Sequence, residues 1–208
     1  MAFIAVLGWF SLGLQLYILI SNAPENGLTI QEAVFNFFSY FTILTNLLVA
    51  ASLSIQLISP LSSTGLFFSK PAIRTAIAVY IVIVGIVYSV TLRHIWNPKG
   101  LQMVADRLLH DAIPLLYFIF WIFYTPRKVL QYRNAIHWLI YPLIYLVFAL
   151  IKGLTTKWYA YPFINISELG AGKVTINCLF VAVAFLIISF LFILINRSLK
   201  KDLTADSI

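Results

Sequence analysis

Apolar residues along this chain gather into six blocks, at about residues 2–20, 33–58, 73–92, 103–124, 135–151 and 173–195. Each is near the ~20 residues an α-helix needs to cross a hydrocarbon core. Breakers and polar runs separate them: Ser21-Asn22-Ala23-Pro24, then Pro60, Gly65 and Lys70-Pro71, then Asn97-Pro98-Lys99-Gly100. None shows the ten-residue alternation of a membrane β-barrel. The pattern predicts an all-α polytopic membrane protein. Residues 1–196 form a bundle of six transmembrane helices, and a short polar tail, 197–208, follows. The first block has no basic run before it and exceeds the length of a signal-peptide core, so it reads as a retained helix.

Composition agrees. Hydrophobic residues make up 62% of the 208, mean hydropathy is +0.95 and only 10% are charged, against ~25% in soluble domains. Net charge is +7. The basic residues sit in short loops, where they set orientation, so nucleic acid is not an expected partner. Lys70 and Arg74, then Arg127, Lys128 and Arg133, then Arg197, Lys200 and Lys201 fall on the same side as the N-terminus. That side, with both termini, is expected to be cytoplasmic. The opposite loops hold Glu25, Glu32 and Glu168, but also Arg93, Lys99, Lys152, Lys157 and Lys173. Trp9, Trp96, Trp121, Trp138 and Trp158 mostly fall near span ends, as interfacial belts do. Cys178 has no partner for a disulfide and reads as a small buried hydrophobe.

Ionisable residues at membrane depth usually mark function. The fourth block begins with Asp106, Arg107, His110 and Asp111. Asp106 lies four residues before His110, on the same helical face, and Arg107 stands likewise to Asp111. Pro114 one turn later is expected to kink the helix. In the second block Ser39, Thr42, Thr45 and Asn46 are spaced as one polar helical stripe. At 1.5 Å per residue, His110 and Thr42 reach similar depths, roughly 10 and 13 Å, from the same outer face. Arg93, His94, Lys152, Tyr161 and Asn177 cluster toward that face.

A hydroxyl becomes a nucleophile when a base takes its proton, and histidine suits that task near neutral pH. Thr42 with His110, oriented by Asp106, forms a minimal nucleophile–base pair, and Thr45 is the alternative nucleophile. Arg93 or Lys152 would hold a lipid carboxylate. Asn46, His94, Tyr161 and Asn177 complete the expected supporting set. The substrate would be an amphiphile in the outer leaflet. No cofactor or metal is expected. A zinc reading would have to draw three ligands from His94, His110 and Asp106.

The runs Tyr40-Phe41-Thr42-Ile43-Leu44-Thr45-Asn46, His110-Asp111-Ala112-Ile113-Pro114 and Trp158-Tyr159-Ala160-Tyr161-Pro162-Phe163, with Tyr141-Pro142 and Glu168-Leu169-Gly170, resemble the bacterial Pr6Pr membrane proteins. These are related to the androgen-induced (FAR-17a type) six-helix hydrolases. The resemblance spans nearly the whole chain. It implies a bacterial cytoplasmic membrane protein that cleaves fatty acid esters of hydroxy fatty acids, with Thr42 as nucleophile and His110 as base. Thr45 takes that place if the segments are offset. The competing expectation is a non-catalytic lipid-binding or small-solute transport protein, its polar cluster a binding vestibule.

Overall fold

The computed structural model describes residues 1–199. Six helical segments are long and apolar enough to cross a membrane, as the hydrophobic blocks predict. They are α1 (Ala2–Ser21), α3 (Phe41–Ile58), α5 (Pro71–Val87) with a π-helical turn at Tyr88–Leu92, and α6 (Gly100–Arg107) joined to α7 (Ile113–Tyr124) by a second π turn at Leu108–Ala112. The last two are α8 (Asn134–Trp138) leading into α9 (Ile140–Thr156), and α10 (Ile166–Ser198). Two short helices, α2 (Ile30–Phe37) and α4 (Ser63–Ser69), and a 3-10 turn at Pro162–Ile164 lie between them. No strand occurs among the described residues. Lys200 and Lys201, used above for orientation, lie outside the described residues.

The central helices are α3 and α5, the most enclosed of the six spans. Helix α5 packs against α3, α7 and α10 through Ile77, Val79 and Ile81, with Leu53, Ile113, Tyr117 and Ile193 completing a fully buried core. Lipid is as apolar as these side chains, so their close packing rather than water exclusion holds the helices together. Outward-facing Phe3, Phe10, Phe123, Ile144 and Phe180 are exposed, as a lipid-facing surface requires. Helix α9 reaches the core through aromatic rings: Tyr141 and Tyr145 pack on Phe41, and Tyr141 on Tyr80.

Several details differ from the sequence expectation. The second block is not one helix over 33–58. It breaks at Phe38–Tyr40, so α3 starts at Phe41, and Ser39 leaves the predicted polar stripe. The Ser39 hydroxyl donates to the carbonyl of Phe35 (2.6 Å), a local bond that competes with helix continuation. Tyr145 caps the freed Ser39 carbonyl at 2.9 Å. Such a break is tolerated at membrane depth only where neighbours satisfy the backbone. Helix α10 begins at Ile166 rather than near Lys173 and bends at Gly170, whose φ is +77°. It also extends to Ser198, into the expected tail. Trp121 and Trp138 are buried inside the bundle rather than exposed on its outer surface; the Trp121 indole donates to Thr75 at 2.8 Å.

Candidate active site

Two cavities meet between the helices. The larger, about 360 Å³, is lined by Gln15, Tyr40, Thr42, Tyr88, Asp106, His110 and Tyr161, among others. The smaller, about 100 Å³, is almost wholly apolar, with Ile83, Val87, Leu143, Leu146, Cys178 and Phe185 in its wall. Thr42, Tyr88, Leu92 and Tyr161 line both, so these residues form the boundary between a polar chamber and a greasy one.

His110 sits in the π turn of the fourth span. In that turn the N–H of Ile113 donates to the Leu108 carbonyl, and Pro114 has no N–H to give. The Leu109 carbonyl is therefore left without a backbone donor. The Asn46 amide fills the gap: its Nδ2 donates to the Leu109 carbonyl (3.2 Å) and to the Thr42 carbonyl (2.9 Å). One buried side chain thus ties the backbone at Thr42 to the backbone beside His110. Gly85 of α5 packs directly on this turn; a Cβ there would lie 3.0 Å from the His110 carbonyl and 3.4 Å from Pro114 Cβ.

The imidazole is clamped on one side. Its Nδ1 faces the Asp106 carbonyl at 3.0 Å and the Asp106 carboxylate at 3.3 Å. Both are acceptors, so Nδ1 carries the proton and Nε2 of the neutral ring keeps its lone pair. Among the described residues no group bonds Nε2. Tyr88 stacks on the ring with centroids 3.9 Å apart and donates its hydroxyl to the other Asp106 oxygen at 2.5 Å. Tyr88 also comes from a π turn, a distortion that recurs at functional sites.

Thr42 lies in the first turn of α3, created by the break at 38–40. Helix amides there lack helical acceptors, and the Thr42 N–H instead reaches the Tyr161 hydroxyl at 3.2 Å. The Thr42 hydroxyl is 3.3 Å from the same oxygen. Tyr161 belongs to the loop before α10. Its ring stacks on Phe163 and meets Tyr40 edge-on. Gly153 lets that loop lie close, since a Cβ there would come within 2.0 Å of the Tyr159 ring. Burial pushes the Tyr161 phenol above its usual pKa, so it is protonated at neutral pH.

The remaining predicted residues divide. Thr45 is fully buried, faces Tyr141 (3.4 Å) and lines neither cavity. Arg93 binds Asp111 and lies over the Tyr88 ring at 5.3 Å; Arg107 binds Asp111 at 3.1 Å. Neither arginine lines either cavity, and their two charges are balanced by Asp111 and by Asp106 in the chamber wall. Lys152 is buried away from both cavities, donating to Asn36 (2.6 Å) and Ser39 (2.7 Å) beneath the faces of Phe35 and Trp158. Asn177 donates to the Phe163 carbonyl at 2.9 Å and steadies the Tyr161 loop. His94 is exposed in the turn after the third span, and no three-residue metal-ligand cluster occurs among the described residues. Sequence reasoning missed Tyr88, and also Gln15 and Gln102, which bond to each other (2.9 Å) at the chamber wall. Amides within apolar spans were the available signal for the glutamines.

Compared with protein-family models, curated proteins and solved structures, the chain matches none of them.

Proposed function

We propose that this protein is an intramembrane threonine-dependent hydrolase of lipid esters, with Thr42 as nucleophile and His110 as general base. One observation carries the reading: the Thr42 hydroxyl and a histidine with an unoccupied Nε2 line a single chamber. Asp106 fixes the tautomer that leaves that nitrogen basic. Thr45, turned away from the chamber, is not the nucleophile in this reading. Thr42 also borders the apolar chamber, which suits an acyl chain. The resemblance to the androgen-induced hydrolases points to the same pair, and to fatty acid esters of hydroxy fatty acids as substrates in a bacterial cytoplasmic membrane, with the polar chamber toward the outer face.

Chemistry would proceed in two displacements. His110 Nε2 takes the Thr42 proton as Oγ1 attacks the ester carbonyl. The tetrahedral intermediate collapses, and the departing alkoxide takes the proton from His110. Water, deprotonated by His110, then attacks the acyl-threonine carbonyl; as that intermediate collapses the fatty acid leaves and Thr42 Oγ1 takes the proton back from His110. No hydrogen bond joins Thr42 to His110 in the free protein; catalytic contacts often tighten only when substrate is bound. That gap favours the second reading, a non-catalytic amphiphile-binding protein using the same two chambers. Labelling with a long-chain alkyl fluorophosphonate, mapped by mass spectrometry, separates them. The hydrolase reading expects an adduct on Thr42 that disappears in His110→Ala. Protection of the chamber by a non-hydrolysable ether lipid with no adduct on any threonine would support binding alone.

A further inference from the structure

The Tyr161 hydroxyl has a placement that the nucleophile–base pair does not use. It is over nine-tenths buried, comes from a loop rather than a span, and meets both the N–H and the Oγ1 of Thr42. Its oxygen accepts the Thr42 N–H, either donates to or accepts from Thr42 Oγ1, and lies at the boundary between the two chambers. An ester whose acyl chain enters the apolar chamber and whose carbonyl carbon sits at Oγ1 would bring its carbonyl oxygen to this point.

We infer that Tyr161 is a catalytic residue of the proposed hydrolysis, donating the hydrogen bond that stabilises the oxyanion. The inference rests on the hydrolase reading. As the Oγ1–carbon bond forms, the carbonyl π pair moves onto oxygen and the Thr42 proton moves to His110. The Tyr161 O–H turns to the new oxyanion, and its hydrogen is not transferred. When the intermediate collapses, the pair returns to the carbonyl, the ester C–O bond breaks, and Tyr161 turns back to Thr42. The phenol oxygen is held in place and only its O–H rotates, so little reorganisation accompanies the new charge; removing one oxyanion donor typically costs ~10²–10³ in kcat. Its raised pKa keeps it a phenol rather than a phenolate through this cycle.

The test compares wild type, Tyr161→Phe, Tyr141→Phe and Thr42→Ala on p-nitrophenyl decanoate in detergent micelles. Tyr161→Phe keeps the ring that packs on Phe163 and Tyr40. Tyr141→Phe removes the matching hydroxyl from beside Thr45 and serves as a control for loss of a half-buried phenol from the same bundle. The expected result is a kcat lowered by about 100-fold or more in Tyr161→Phe with KM little changed, and near-normal turnover in Tyr141→Phe. The rate of fluorophosphonate labelling of Thr42 should fall in parallel. Overturning results are turnover within about threefold of wild type in Tyr161→Phe while Thr42→Ala is inactive, or a change in KM alone. Either removes Tyr161 from catalysis and leaves the hydrolase reading standing. Hydrolysis that persists unchanged in Thr42→Ala would remove both. If Tyr161→Phe fails to fold, wild-type protein carrying 3-fluorotyrosine at position 161 supplies the readout: kcat must respond to the more acidic phenol, and an unchanged kcat overturns the role.

Discussion

Replacing Asn46 probes the joint between the two halves of the site. The Leu109 carbonyl has lost its helical donor to the π turn and Pro114, and Asn46 Nδ2 replaces it at 3.2 Å. Asn46→Leu leaves that carbonyl buried without a partner, an effect of about 1–3 kcal/mol in proteins generally. Double-mutant cycles within membranes average nearer ~0.6, with a maximum of ~1.7. The Thr42 carbonyl loses only a second hydrogen bond. Asn46 Oδ1 is itself buried and unpaired, so leucine also removes one misfit polar atom. The net expectation is a loss of about 1 kcal/mol, or a midpoint lower by ~2–4 °C for a protein of this size. Asn46→Asp is the sharper variant. It has the same shape but sets carboxylate oxygens against two carbonyls, and should lose ~3 kcal/mol or more by analogy with a buried charge stripped of its partner. Thermal and SDS-titration unfolding in mixed micelles gives the ranking. Wild type above leucine above aspartate is expected, with turnover falling in the same order. Aspartate as stable as wild type, or leucine without effect, refutes the argument that this amide completes the π turn.

Other variants test neighbouring parts of the account. Gly85→Ala sets a methyl 3.0 Å from the His110 carbonyl. It should cost about 1–3 kcal/mol and displace His110, which turnover and unfolding measurements would both register. Tyr88→Phe keeps the stack on His110 but removes the 2.5 Å bond to Asp106. A roughly tenfold loss of kcat with little change in stability is expected, consistent with an effect below that of losing the base itself. Glu32 closes a capping box with Thr29, and those bonds hold its carboxyl below its usual 4.5. A depressed pKa means the cap is present above that value and lost as pH falls through the lower folded value. Hydrogen exchange should therefore show α2 fraying first on acidification, and unchanged protection of α2 at low pH would contradict this.

The six spans were legible because an apolar block of about 20 residues has few alternatives to a membrane helix. The Asp106–His110 and Arg107–Asp111 couplings follow from four-residue spacing on one helix, and both contacts are present. What the pattern hid was backbone irregularity stabilised from a distance. Residues 38–40 contain no glycine or proline, and their break depends on Tyr145 and Tyr161, more than 100 residues away. The Leu108–Ala112 turn had a partial signal in Pro114, whose missing N–H was read as a kink. The Tyr88–Leu92 turn had none. Depth counted along an unbroken second span placed Thr42 beside His110 by an argument the broken helix does not support; the shared chamber brings them together instead.

The most direct test of the central claim is hydrolysis of long-chain fatty acid esters by purified wild type, Thr42→Ala, Thr45→Ala and His110→Ala proteins, each checked for folding. The account predicts that Thr42→Ala and His110→Ala lose activity by orders of magnitude and that Thr45→Ala retains most of it. Equal activity in all four, or a well-folded wild type that cleaves no ester, would contradict it and leave a lipid-binding protein.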